Sequence, residues 1–300
     1  MKKLKAIWEL MRLEHGIMLF LAILIGSIIS QKTLFNEIIP PLDKVILTFF
    51  TALFLEASTF SLNDYYDLHI DKLNKRTDRP LVRGDIKPKT ALYLFYVLFP
   101  LGLICSFFVN MTCFIIALVT ALLSVLYDVK MKKIKIIGNF YIAYIMAIPF
   151  IFGGATVVDY YSISFLKINP AIYTIALIAF IAGSGREMMK DVMDFKGDKK
   201  EGVKSFPKYI GIRKTNIIAG IFYIIAVLLS FIPYLLKSFT IYYQNLVYLI
   251  IVLLTDIILV YTSLQLIFNK SPNMKLFRKL SLIAIFIGLI AFLISAFVNI

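Results

Sequence analysis

"VILTFFTALFLEASTFSLNDYYDLHID", residues 45–71, stays apolar for about the depth of a bilayer and then ends in three aspartates, Asp64, Asp67 and Asp71. Between Val45 and Asn63 its one charged side chain is Glu56. A soluble amphipathic helix would carry a polar stripe along its whole length. This segment instead reads as a membrane-spanning helix with acids gathered at one end.

The rest of the chain agrees. Of its 300 residues 60% are hydrophobic and only 17% are charged, and the mean hydropathy is +0.85, values foreign to a soluble domain of this size. Apolar runs long enough to span lie near 14–30, 44–63, 90–109, 111–127, 137–157, 170–189, 215–236, 244–268 and 279–299. The third and fourth are nearly continuous, broken around Asn110. The fold class is therefore all-α and polytopic, with about nine transmembrane helices in one bundle. No composition shift marks a second domain, so residues 1–300 form a single one.

Orientation follows from the bases. Of 32 Lys and Arg residues, 28 fall in the N-terminal arm and in the segments after spans two, four, six and eight. The other side keeps Lys32, Lys44, Lys167 and Lys237. The positive-inside rule places the N-terminus and those loops in the cytoplasm and the C-terminus outside. The net charge of +14 is an orientation signal; spread over short loops, it speaks against a nucleic-acid partner. Cys105 and Cys113 sit inside spans and read as small buried hydrophobes.

"KDVMDFKGDKK", residues 190–200, repeats the acidic spacing with Asp191, Asp194 and Asp198, each set the same distance along the chain from its counterpart in the first triad. At about 100° per residue, positions i, i+3 and i+7 share one narrow helical face. Four spans separate the triads, so both emerge on the same side, as a parallel internal repeat requires. Oxygen-only ligands of this kind suit Mg2+. Bases are interleaved with the acids: Arg76, Arg79, Arg186, Lys190, Lys199, Lys200, and the Lys130, Lys132, Lys133, Lys135 cluster. Acids and bases together point to a metal-bound polyphosphate. At the mouth of an apolar bundle, a diphosphate on a long hydrocarbon chain fits.

Other polar residues read differently. His15 and His69 are expected to be local hydrogen-bonders. "GSGRE", residues 183–187, follows no strand and is expected to serve close helix packing rather than a nucleotide. Glu56 and Asp256, isolated acids inside spans, are expected to face a cavity.

"NDYYDLHIDKLNKRTDRPL" and "KDVMDFKGDKKEGVKSFPKYIG" resemble the two aspartate-rich signatures of the UbiA-type intramembrane prenyltransferases. The resemblance implies nine transmembrane helices around a central cavity, Mg2+ as cofactor, and a prenyl diphosphate with a lipid-like acceptor as partners. The second signature is most like the branch that joins a geranylgeranyl group, from geranylgeranyl diphosphate, to geranylgeranylglyceryl phosphate, the second ether bond of archaeal membrane lipid. Prenylation of an aromatic acceptor is the alternative, and ion-coupled transport a more distant one. The implied metal ligands are Asp64, Asp67, Asp71, Asp191, Asp194 and Asp198, of which Asp64, Asp67, Asp191 and Asp194 are catalytic. The implied substrate-binding residues are Asn63, Arg12, Arg76, Arg79, Tyr127, Lys130, Arg186 and Lys190. Residues 64–89 and 190–214 would form cytoplasmic loops that cap the site.

Overall fold

The computed structural model describes residues 2–73, 75–131, 134–160, 168–200 and 202–298. Its helices are α1 Lys2–Met11, α2 Gly16–Phe35, α3 Leu42–Leu73, α4 Pro80–Arg83, α5 Pro88–Val109, α6 Met111–Leu126, α7 Lys135–Tyr160, α8 Pro170–Lys200, α9 Phe206–Ser230, α10 Ile232–Leu235, α11 Leu246–Phe268 and α12 Met274–Phe297. Among the described residues nine helices are long and apolar enough to cross a membrane, so the chain is a multi-pass membrane protein. Asn110 makes the break expected of it. Its backbone is extended, which ends α5, and its Oδ1 accepts the Cys113 backbone N–H at 2.7 Å, which caps α6.

Helices α3 and α8 are longer than their apolar runs. They continue as helix to Leu73 and Lys200, so the first parts of 64–89 and 190–214 are helical rather than loop. Hydropathy marks where a helix leaves hydrocarbon, not where its hydrogen bonding stops. The triads consequently ride on rigid extensions of spans two and six.

The internal repeat is visible in backbone detail. The starts of α3 and α8, Leu42 and Pro170, and their ends, Leu73 and Lys200, stand almost as far apart along the chain as the two triads do. After each helix, a residue with positive φ closes it, Lys75 (52°) and Gly202 (72°). The next backbone N–H then reaches back to the third acid of each triad: Arg76 to the Asp71 carbonyl and Val203 to the Asp198 carbonyl, both 3.0 Å. A proline opens the following helical turn in both halves, Pro80 and Pro207. That turn ends at Gly84 (φ 80°) in one and at Gly211 (φ 82°) in the other. Left-handed backbone of this kind is what glycine supplies without strain. Helix α3 packs chiefly on α5, and α8 packs likewise on α9.

The halves are joined where α2 crosses α7. A Cβ on Gly26 would lie 2.0 Å from the Phe150 carbonyl oxygen, and one on Gly153 would lie 2.0 Å from that of Ile23. Backbones in contact leave no room for side chains, the small-residue packing that membrane helices use in place of a hydrophobic drive. Ser27 adds a hydrogen bond across the seam to the Gly153 carbonyl, 3.0 Å. Gly183 and Gly185 behave as expected of "GSGRE", lying close against Met146 and the Ala219 carbonyl.

Helix α1 lies across the site end of the bundle. Its buried Ala6 and Leu10 pack on Leu81, Ile86 and Ala91, and Glu9 pairs with Arg83 of α4. At its end Arg12 takes a left-handed backbone (φ 51°), a strained conformation for a side chain of that size.

Candidate active site

The two triads sit at the same end of the bundle and are held by corresponding partners. Asp64 and Asp191 are each 2% exposed. Asp64 accepts from Arg12 Nη2 at 2.8 Å, and Asp191 accepts from Asn139 Nδ2 at 2.8 Å. Donor and acceptor are 52 residues apart in both bonds, so the interval that carries Asp64 onto Asp191 also carries Arg12 onto Asn139. Arg79 Nη1 adds a second bond to Asp64 at 3.1 Å; the same interval carries Arg79 onto Phe206. A buried carboxylate requires such donors, because desolvation without them would expel its charge.

The remaining acids are unequal. Asp71 is buried and lies 4.0 Å from Arg79 Nε, a buried N–H that has no hydrogen-bond partner among the described residues. Asp67 is half-buried, and the Asp194 side chain is 60% exposed. Lys135, the first residue of α7, places Nζ 2.7 Å from Asp198, 3.8 Å from Asp191 and 3.8 Å from Asp194. Three carboxylates at helical spacing thus converge on one ammonium, the cation that their mutual repulsion demands.

Several expected residues lie elsewhere than on the acids. Arg76 forks onto Asp78 at 2.9 and 2.8 Å. That hydrogen bond is the main cause of its raised pKa, to which Asp71 and Asp194 add, so Arg76 stands in the field of both triads. The same fork holds the Asp78 carboxyl down to about 2. Lys190 pairs with Glu187 at 2.7 Å, on its own helix. Arg186 lies within electrostatic reach of Tyr223 and Arg278, in the seam of α8, α9 and α12. It is five residues from Asp191, which turns it about 140° away from the acids. Lys130 is exposed. Lys132 and Lys133 lie outside the described residues, as do Lys167 and the Lys200 side chain. For Arg12, burial pulls the pKa down and Asp64 opposes the shift.

Asp128 belongs to no sequence pattern. It is buried in the short π-turn Tyr127–Met131, and its Oδ1 accepts from Asn63 Nδ2 at 3.1 Å. Such turns recur at functional sites. Below it Tyr127 stacks on Tyr141 with centroids 4.8 Å apart, and the Tyr141 hydroxyl meets Ser124. His15 Nδ1 lies 3.6 Å from Glu56, on the wall beneath Arg12. Asp256 does not face this space. It accepts from Ser230 at 2.9 Å in the seam between α9 and α11.

The donor set suits Mg2+ in kind, being carboxylate oxygen throughout. Among the described residues no group of three or more His, Cys, Asp or Glu is drawn to metal-ligand spacing. The second triad has the wider spacing of acids gathered around an ammonium.

The site thus gathers acids and guanidinium groups at one end of an apolar helical bundle. The chain belongs to the UbiA prenyltransferase family, whose model matches residues 19–287; it is a prenyltransferase. Digeranylgeranylglyceryl phosphate synthase of Archaeoglobus fulgidus is 40% identical over 98% of this chain and 96% of its own length. The Methanocaldococcus jannaschii protein of the same name is 36% identical over 99% and 98%. A solved structure concerning digeranylgeranylglyceryl phosphate synthase in membranes, 36% identical, matches with a TM-score of 0.77 over 99% of each chain. A UbiA homolog from Archaeoglobus fulgidus bound to DMAPP and Mg2+ is 19% identical with a TM-score of 0.56, covering 96% of this chain and 99% of that one; at that distance the likeness is one of fold.

Proposed function

We propose that the protein transfers a geranylgeranyl group from geranylgeranyl diphosphate to the glycerol hydroxyl of geranylgeranylglyceryl phosphate, forming the second ether bond of archaeal membrane lipid. The observation that carries this reading is the pair of carboxylate triads with matching donors, interleaved with guanidinium groups at one mouth of the bundle. The names of the most similar curated proteins support the choice of acceptor.

Asp64, Asp67 and Asp71 on one side and Asp191, Asp194 and Asp198 on the other would hold Mg2+, which when bound neutralises charge on the diphosphate and makes it a better leaving group. Arg12 and Arg79 stand beside Asp64 and their guanidinium groups would bind the phosphate oxygens; the Arg79 Nε–H, buried between Asp71 and Asp78, makes no hydrogen bond among the described residues. Asn63 is held by Asp128 and positions that acid at the rim. As the bond between C1 and the diphosphate oxygen breaks, its electron pair leaves with the diphosphate. The stacked pair Tyr127 and Tyr141 would offer an outer ring face to the allylic cation. The acceptor hydroxyl oxygen then bonds to C1, and its proton passes to Asp67 or Asp64. Residues 64–89 and 190–214 cap the site, on the cytoplasmic side by the distribution of bases, and the C-terminus lies outside.

The test is prenyl transfer by purified protein in lipid nanodiscs with geranylgeranyl diphosphate and Mg2+, offering geranylgeranylglyceryl phosphate, 4-hydroxybenzoate or no acceptor, read by mass spectrometry. Ether product from the first acceptor alone, lost with EDTA, is expected. Product from the aromatic acceptor alone would overturn the assignment of acceptor, and diphosphate release with none of them would overturn the reaction.

A further inference from the structure

The repeat makes the two halves of the site comparable residue by residue, and its clearest break is Lys135. The interval that carries Asp64 onto Asp191 carries Trp8 onto Lys135, and Trp8 is uncharged and 53% exposed on α1. Among the described residues the first triad is ion-paired to two guanidinium groups. Arg12 lies 4.0 Å over the Phe60 ring while bonded to Asp64, and Arg79 reaches Asp64 from the α4 turn. In the second triad the corresponding side-chain donor is neutral, the Asn139 amide. Among the described residues its ion-paired cation is Lys135, at a helix start, on a flexible four-carbon stem, with its side chain about a quarter exposed.

That ammonium stands within 4 Å of an oxygen of all three acids. A divalent cation drawn to the same oxygens meets like charge at contact distance, so the two cannot share the triad. If the ammonium swings out, it needs another anion to replace what it leaves. An incoming diphosphate supplies one at the same mouth.

We propose that Lys135 is the resident counter-ion of the second triad, and that a divalent metal enters this triad together with the diphosphate, which takes the Lys135 ammonium onto its own oxygens. The inference rests on the prenyl-diphosphate reading given above. It makes metal and diphosphate binding reciprocal: each tightens the other by the same factor, on the order of tenfold or more. It also gives this half of the site a reason to ignore free divalent ions in the absence of substrate.

The experiment measures Mn2+ bound per chain by loss of the free-ion EPR signal, on full-length protein in nanodiscs, with and without inorganic diphosphate. A protein-free series accounts for Mn2+ complexed by diphosphate in solution. Without diphosphate, Lys135→Met should bind one more Mn2+ per chain than wild type at the same free concentration. With diphosphate the two should be equal, and Lys135→Arg should follow wild type throughout. Equal binding by wild type and Lys135→Met without diphosphate overturns the proposal while leaving the metal reading intact. If no chain binds Mn2+ even with diphosphate, the metal reading itself fails. Should Lys135→Met not fold, the wild-type series decides: added diphosphate must raise bound Mn2+ by one per chain, and no rise overturns the proposal.

Discussion

Replacing Arg12 with Met removes the 2.8 Å bond to Asp64 while leaving an apolar stem of similar length over the Phe60 ring. A hydrogen bond to a charged group is worth about 1.5 to 3 kcal/mol. Because Arg79 still holds Asp64 at 3.1 Å, the acid is not left bare, and the larger cost of a stranded buried charge, about 3 to 5 kcal/mol, is reserved for loss of both arginines. At about 1.36 kcal/mol per tenfold, Arg12→Met should lower kcat/KM for the prenyl diphosphate by about ten- to 150-fold. The assay is steady-state prenyl transfer in nanodiscs, with size exclusion and thermal unfolding as checks on folding. Arg12→Lys keeps the charge, loses the planar fork and should fall in between. If both variants fold normally and keep kcat/KM within about threefold of wild type, the argument from Asp64 is wrong.

Asn139→Leu removes the equivalent but neutral donor and leaves Asp191 the Lys135 ammonium at 3.8 Å, so its loss of kcat/KM should be smaller than that of Arg12→Met in the same assay. Gly153→Ala should abolish recovery of monodisperse protein, since its Cβ would meet the Ile23 carbonyl. Gly197→Ala, with nothing within 4 Å, should fold normally and unfold at an equal or slightly higher temperature. The Arg76–Asp78 fork depresses an acid's folded pKa, so its contribution is fully present above the ordinary carboxyl range and is lost only as pH falls through about 2. The pair is exposed, so Asp78→Asn should speed hydrogen exchange of the 75–79 turn at neutral pH by no more than about fivefold. Wild type should keep its protection at acidic pH once intrinsic rates are corrected. Asp256→Asn retains an acceptor for the Ser230 hydroxyl and should leave turnover near wild type in the nanodisc assay.

The parts of the molecule legible in the sequence are those with a period or a length. Nine apolar runs fix nine crossings, and an i, i+3, i+7 set of acids must share a helical face whatever surrounds it. Arg186 shows how nearness in sequence misleads: five helical residues point it and Asp191 nearly opposite ways. Lys190 and Arg76 find acids closer than the triads, and no pattern of spacing predicts which of several acids a long side chain will choose. Lys135 reads as one base of a basic loop; its place among three carboxylates depends on α7 starting at that residue. Asp128 carries no signal at all, being a lone acid at the end of a span. Asn139 does carry one, since the interval that relates the triads also maps Arg12 onto it.

That shared interval has a consequence for descent. If the two halves were once encoded by a single gene and met as identical copies, Asp64 and Asp191 had to share the same partner, because any change in one copy appeared in both. Joining them in one chain released that constraint. Arginine on one face and asparagine with a movable lysine on the other is a division of labour that no homodimer of this half could have evolved.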